Sequence, residues 1–162
     1  MTQHSYVHGN TESALIGATI GAYLDDIARR HGAREALVVP HQRVRWTYAQ
    51  LKARSDELAA GLLALGLEPG NRVGIWALNC AEWVVAQFAT AKAGLILVNI
   101  NPAYRTSELE HVLRAVQCSA LITATRFKSS DYIAMLNTLA PELADDRDVL
   151  TSVKRSVLNN AA

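Results

Sequence analysis

The sequence predicts an α/β fold, a three-layer, doubly wound and mostly parallel sheet with helices on both faces, preceded by a small hairpin. Three observations predict it. The runs 73–77, 95–100 and 120–123 are apolar apart from Asn99 and Thr123 near their ends, instead of alternating, as in strands buried on both sides. The stretches between them repeat apolar residues at helical spacing. Glycines or capping-type residues mark the changes of period, so strands and helices alternate along the chain, the pattern of a sheet covered on both faces.

Residues 1–18 are polar and aperiodic and read as a flexible arm. Over 19–30, Ile20, Tyr23, Leu24 and Ile27 recur at helical spacing, with Thr19 as N-cap and Gly32 as the stop. Two β-prone runs, 36–39 and 44–48, flank Pro40, His41, Gln42 and Arg43 and suit an antiparallel hairpin. Thr47 and Gln50 form a capping pattern for a long helix whose apolar face is Leu51, Leu58, Leu62 and Leu65, ended by Gly66. Lys52, Arg54, Asp56 and Glu57 read as its solvated side.

After the strand at 73–77, Asn79 and Glu82 are expected to cap a helix running to Ala93, which Gly94 stops. That helix carries Trp83, Val84, Val85, Phe88 and five alanines and is apolar nearly all round, so it is expected to need cover on more than one side, from a neighbour outside the chain. Ser107 and Glu110 are expected to cap the next helix, with Leu109, Val112, Leu113 and Val116 on its inner face. A third strand over 120–123 precedes a helix marked by Tyr132, Met135, Leu136 and Leu139. Residues 144–162 carry charges without periodicity and read as a disordered tail, leaving 19–143 as the domain.

Composition narrows the function. Half of the 162 residues are hydrophobic, which excludes a disordered class, and the length suits one domain. A net charge of +1, with both signs interspersed, offers no stripe for nucleic acid. No run approaches the length of a transmembrane segment, and there is no basic region of a secretory signal. Two cysteines, Cys80 and Cys118, without pairing or metal-ligand spacing, suit a reducing, cytoplasmic setting.

Few residues suggest chemistry. Gly66, Gly70 and Gly74 have neither of the phosphate-loop spacings and precede a strand, so they read as turn punctuation. Cys80 near a helix start would have a lowered pKa if it were a nucleophile, but a small buried hydrophobe is the simpler reading. The segment 99–104 leaves a buried strand at its carboxyl end, where open α/β sheets place ligand crevices, and Pro102 holds Asn101 extended. Tyr104 and Arg105 are placed to meet a ligand or a neighbouring domain, against the plainer reading of a strand-to-helix connection. His31 and His111 read as surface residues.

A series of phrases in order carries a family resemblance: Arg45-Trp46-Thr47-Tyr48; Ala59-Ala60-Gly61-Leu62; Gly70-Asn71-Arg72-Val73-Gly74-Ile75-Trp76; Asn79-Cys80-Ala81-Glu82-Trp83; Ala91-Lys92-Ala93-Gly94; and Val98-Asn99-Ile100-Asn101-Pro102-Ala103-Tyr104-Arg105. Together, over 19–143, they resemble the amino-terminal segment of fatty-acyl-CoA synthetases, AMP-forming acid–thiol ligases of the adenylate-forming superfamily. The resemblance implies a partial N-terminal domain of that fold. It also implies an enzyme that uses ATP and magnesium to turn a fatty acid into an acyl-adenylate and then exchanges AMP for the thiol of coenzyme A. The family's phosphate loop, its adenine- and ribose-binding residues and its lysine-bearing C-terminal domain follow this segment in the family order.

No catalytic, cofactor-binding or metal residue is therefore assigned here, and the chain alone is expected to be inactive, a broken enzyme that self-associates. The alternative is a non-catalytic α/β module that docks with another chain, such as a synthetase. A receiver or flavodoxin-like domain fits worse, because neither Leu78 and Asn79 nor Asn101 supplies the acidic residues a receiver needs at those strand ends.

Overall fold

The computed structural model describes residues 9, 12 and 15–141. The tail read over 144–162 lies outside them, as does most of the arm read over 1–18. Helix α1, Ile20–His31, begins where Thr19 Oγ1 accepts the Ala22 N–H at 3.2 Å and ends with Arg29, Arg30 and His31, whose charge suits the carboxyl end of the dipole. Strands β1, Glu35–Val39, and β2, Val44–Thr47, pair antiparallel around a 3₁₀ turn at Pro40–Gln42, and Arg43 takes the left-handed conformation that closes it.

Helix α2, Tyr48–Ala64, opens with the expected reciprocal cap: Thr47 Oγ1 accepts the Gln50 N–H at 3.3 Å and Gln50 Oε1 accepts the Thr47 N–H at 2.9 Å. Its inward stripe differs from the expected one. Leu51, Ser55, Ala59 and Leu62 are buried and Leu58 is half-buried, whereas Leu65 is 43% exposed. The helix stops at Ala64 and the chain reverses at Gly66, whose φ of 82° is left-handed, so Leu67 rather than Leu65 turns into the core. The solvated side is also more than solvent-facing. Arg54 stacks over Trp46 at 4.3 Å, and Lys52 and Asp56 join an ion network described below.

The central sheet has β4, Ile96–Asn99, then β3, Arg72–Trp76, then β5, Cys118–Thr123, all parallel. Helix α3, Ala81–Lys92, links β3 to β4, and α4, Thr106–Ala115, links β4 to β5. A short hairpin, β6 Arg126–Phe127 and β7 Ser130–Asp131, then leads into α5, Tyr132–Leu139. Val73 on β3 joins Ala59 and Leu62 of α2 and Ala89 of α3 on one face; Trp76 joins Leu109 and Leu113 of α4 and Tyr132 and Met135 of α5 on the other. That double cover is the reason the strand is apolar from Val73 to Trp76. On the α4–α5 face Gly74 makes room: a Cβ there would lie 2.9 Å from Leu121 Cδ1, 3.0 Å from Ile100 Cδ1 and 3.1 Å from Cys118 Sγ.

Two caps fall elsewhere than expected. The residue before α3 is Cys80, with no side-chain cap of its own, because the chain stays extended through Cys80 and Asn79 comes one residue too early. The Ala81 N–H is instead accepted by Gln42 Oε1 of the hairpin turn at 2.6 Å. Helix α4 starts at Thr106, so it is Glu108, not Glu110, that reaches back, accepting the Arg105 N–H at 2.8 Å.

The neighbour that α3 requires lies within this chain. Val85 packs with Leu24 of α1 and Leu51 of α2, while half-buried Val84, Phe88 and Trp46 close around them. The three helices are joined by charge as well: the Lys92 ammonium, its side chain only 13% exposed, pairs with Asp25 of α1 and Asp56 of α2, and Lys52 Nζ lies 2.5 Å from Asp56. Among the described residues no helix is long and apolar enough to cross a membrane.

Candidate functional site

From β3 the chain crosses to α3 on one face of the sheet; from neighbouring β4 it crosses to α4 on the other. Where two such connections part, a crevice opens at the carboxyl ends of the strands. Here it is a cleft of about 670 Å³, walled by residues 77–79 after β3 and by 99–102 at the end of β4 and just beyond it. His41 from the hairpin turn and Trp83 from the first turn of α3 complete it. The segment read from the sequence as a crevice wall occupies that position through Pro102.

Each wall is held from behind. Trp76 Nε1–H donates to the Asn101 carbonyl at 3.1 Å and the Tyr132 hydroxyl donates to the Pro102 carbonyl at 2.5 Å, while the two rings stack with centroids 3.5 Å apart and planes 12° apart. Burial pushes the Tyr132 phenol up, which keeps it a donor. Asn101 Oδ1 accepts the Ala103 N–H at 2.9 Å and shapes the turn before α4. On the opposite wall Gln42 acts twice, as the cap on Ala81 and as a donor to Glu82 Oε2 at 2.8 Å. This fixes the turn that carries His41 against α3.

The electrostatics of the cleft are neutral. No Asp, Glu, Lys or Arg lines it, and its polar side chains are the carboxamides of Asn79, Asn99 and Asn101 with the His41 imidazole. The Glu82 carboxyl, just outside, is held below the usual range chiefly by its hydrogen bond from Gln42. The triphosphate chemistry implied by the resemblance does not fit these groups, since a polyphosphate needs cations or a nest of amide N–H groups and the first amide of α3 is already satisfied by Gln42. Nor do three His, Cys, Asp or Glu side chains converge on a metal-sized site among the described residues.

The remaining candidates lie elsewhere. Burial pushes the Cys80 thiol up, so the low-pKa nucleophile considered from its position does not form. Cys118 is raised for the same reason, and its Sγ accepts the Gly74 N–H at 3.2 Å. Arg105 is engaged by Ser130 Oγ at 2.7 Å, and Tyr104 packs on the cluster around Trp76; neither lines the cleft. Tyr104 instead borders a smaller hollow, of about 270 Å³, with exposed His111. His31 is half-buried at the end of α1. His41, Gln42, Trp83 and the Trp76–Tyr132 pair had no signal in the sequence, because each acts on a partner brought close only by the fold; only the hairpin turn and the apolar helix that hold them were legible.

Comparison with known proteins gives a consistent result. The AMP-binding enzyme family matches residues 24–161. The mitochondrial medium-chain acyl-CoA ligase ACSF2 of Mus musculus is 48% identical over 139 residues, covering 86% of this chain and 23% of that ligase. Among solved structures, a Mycobacterium tuberculosis fatty acyl CoA synthetase superposes with a TM-score of 0.69 at 27% identity, covering 82% of this chain and 25% of the other. The inhibitor-bound N-terminal domain of FACL13 from the same organism gives 0.63 at 31% identity, covering 65% and 26%. The chain thus spans about a quarter of the length of the relatives it matches.

Proposed function

Because this chain belongs to the AMP-binding enzyme family, we propose that it serves as one part of an acyl-CoA synthetase, an enzyme that activates a fatty acid with ATP to an acyl-adenylate and passes the acyl group to coenzyme A. In this reading the chain supplies a rigid α/β layer and the switch-point cleft, and does not catalyse adenylation by itself. The neutral cleft carries the argument. Adenylyl transfer depends on fixed positive charge or donors at the position where negative charge develops, and residues 77–79 and 99–102 present carboxamides and apolar side chains instead.

Carboxylate-dependent exchange of pyrophosphate into ATP tests this directly. The purified chain is expected to show none, and co-expression with the remaining part of a related synthetase is expected to restore it. Magnesium-dependent exchange by the chain alone would overturn the reading. Two free thiols, Cys80 and Cys118, support a reducing compartment such as the cytoplasm, which cell fractionation checks.

A docking module is the second reading. It is favoured by exposed apolar side chains: Leu15 is 98% exposed, Ile16 65% and Ile20 56%. A monodisperse monomer that binds no hydrophobic dye would count against it.

A further inference from the structure

We propose that the hairpin turn, residues 40–43, is a latched lid on the mouth of the cleft, held shut by Gln42 and released as a unit that swings about Val39 and Val44. The hairpin is fixed at its root. There Ala36, Trp46 and Tyr48 pack on the cluster of Leu24, Leu51 and Val85, and the Tyr48 N–H donates to the Arg34 carbonyl at 3.0 Å. Arg45 holds Glu35 across the ladder with bonds of 2.6 and 3.0 Å. Val39 is buried and Val44, its partner in the other strand, is half-buried. Beyond that pair Pro40, His41 and Arg43 are exposed, so burial ends where a hinge is required.

One carboxamide keeps the tip on α3. Gln42 Oε1 accepts the Ala81 N–H at 2.6 Å and Gln42 Nε2 donates to Glu82 Oε2 at 2.8 Å; among the described residues no other side chain of the turn makes a hydrogen bond or ion pair. Both bonds are open to exchange with water. Glu82 is exposed, and the Ala81 amide is one that a helix start leaves without a partner inside the helix. The turn keeps its shape when they break, because the Arg43 N–H donates to the Pro40 carbonyl at 3.0 Å within it and the proline ring fixes one torsion. Arg43 sits beside the hinge at a left-handed φ of 54°, a conformation costly to a residue with a Cβ, so strain favours release at that point. His41 rides on the turn and lines the cleft together with Trp83, so an outward swing removes one wall and opens Trp83 to solvent.

Three variants of the full chain test the latch. Gln42→Ala removes both bonds, and Gln42→Glu sets a carboxylate against Glu82. Combining Gln42→Glu with Glu82→Gln restores both bonds, with donor and acceptor exchanged in the second. Backbone ¹⁵N relaxation is expected to show residues 41–43 mobile in the two single variants and ordered in the wild type and the double variant, with Val39 and Val44 ordered in all four. Labelling with 5-fluorotryptophan gives lines for Trp46, Trp76 and Trp83, and only the Trp83 line should gain a solvent isotope shift when the latch is broken. Exchange of the Ala81 amide should quicken about tenfold in Gln42→Ala and return to the wild-type rate in the double variant. Order at 41–43 in both single variants, mobility that reaches Val39 and Val44, an unmoved Trp83 line, or no recovery in the double variant would each overturn the proposal. None of these readouts uses activity, so the latch and the synthetase reading fail separately.

Discussion

The two faces of the β4-β3-β5 sheet obey the same sequence grammar and are packed by opposite means. On the α2–α3 face the contacts are small: Ala59, Ala86 and Ala89 let helices approach closely, and the polar groups caught between them are satisfied locally, Ser55 Oγ–H by the Leu51 carbonyl and Thr90 Oγ1–H by the Ala86 carbonyl, both at 2.8 Å. On the α4–α5 face one large stacked pair, Trp76 and Tyr132, fills the space and also fixes the cleft wall. Apolar periodicity therefore reports that a face is buried, whereas residue size decides how, and the aromatic face is the one that fixes the 101–102 wall of the candidate site.

The largest expected effect comes from breaking the aromatic face. Trp76 is fully buried, so Trp76→Ala should cost about 3–5 kcal/mol in chemical denaturation. An effect below 1 kcal/mol would show that the stack does not carry that face. The alanine face should fail in the opposite direction, by crowding. Ala89→Leu, at a position with no exposure, should cost about 1–3 kcal/mol, while exposed Ala60→Leu should be near neutral. Equal thermal midpoints for the two variants would refute close helix approach through the alanines.

Smaller changes sharpen the contrast. Gln42→Ala removes the donated cap of α3 and should cost about 1 kcal/mol, with faster hydrogen exchange at the Ala81 amide and little change on α4 or α5. Uniform exchange changes across both faces would show that the hairpin turn is not a local clamp.

Acid should act on the ion network between α1, α2 and α3, and weakly. For Asp56, burial raises the carboxyl but the ammonium groups of Lys52 and Lys92 outweigh it, so the folded value lies below the ordinary 3.8. A carboxyl depressed by folding contributes stability that is complete above its unfolded pKa and is lost as pH falls through the folded one. The midpoint difference between the wild type and Asp56→Asn should therefore shrink below about pH 4, by about 1 °C given how exposed the pair is. A difference that grows in acid would reverse the assigned sign.

Much of the fold was legible because it depends on local pattern. The hairpin, the Thr47–Gln50 cap, the parallel strands and the inner faces of α4 and α5 all follow from periodicity and from capping chemistry within four residues. The misplaced features have a common cause. Leu65, Asn79 and Ser107 each fit a local pattern, yet where a helix starts or stops depends on where the chain arrives from the sheet, which is a tertiary property. The short β6–β7 hairpin carries two-residue strands, too brief for any period to register.

By itself the sequence determined the fold class, the order of the longer helices and parallel strands, and a strand-to-helix connection over 99–104, because strand burial and turn residues act between near neighbours. Only the tertiary structure decided that α3 is covered by α1 and α2 of the same chain, that Gln42 caps it from 39 residues away, and that Trp76 and Tyr132 stiffen the cleft. Those contacts depend on which surfaces meet when the sheet is wound on both faces, and a one-dimensional pattern encodes the need for a partner without its identity.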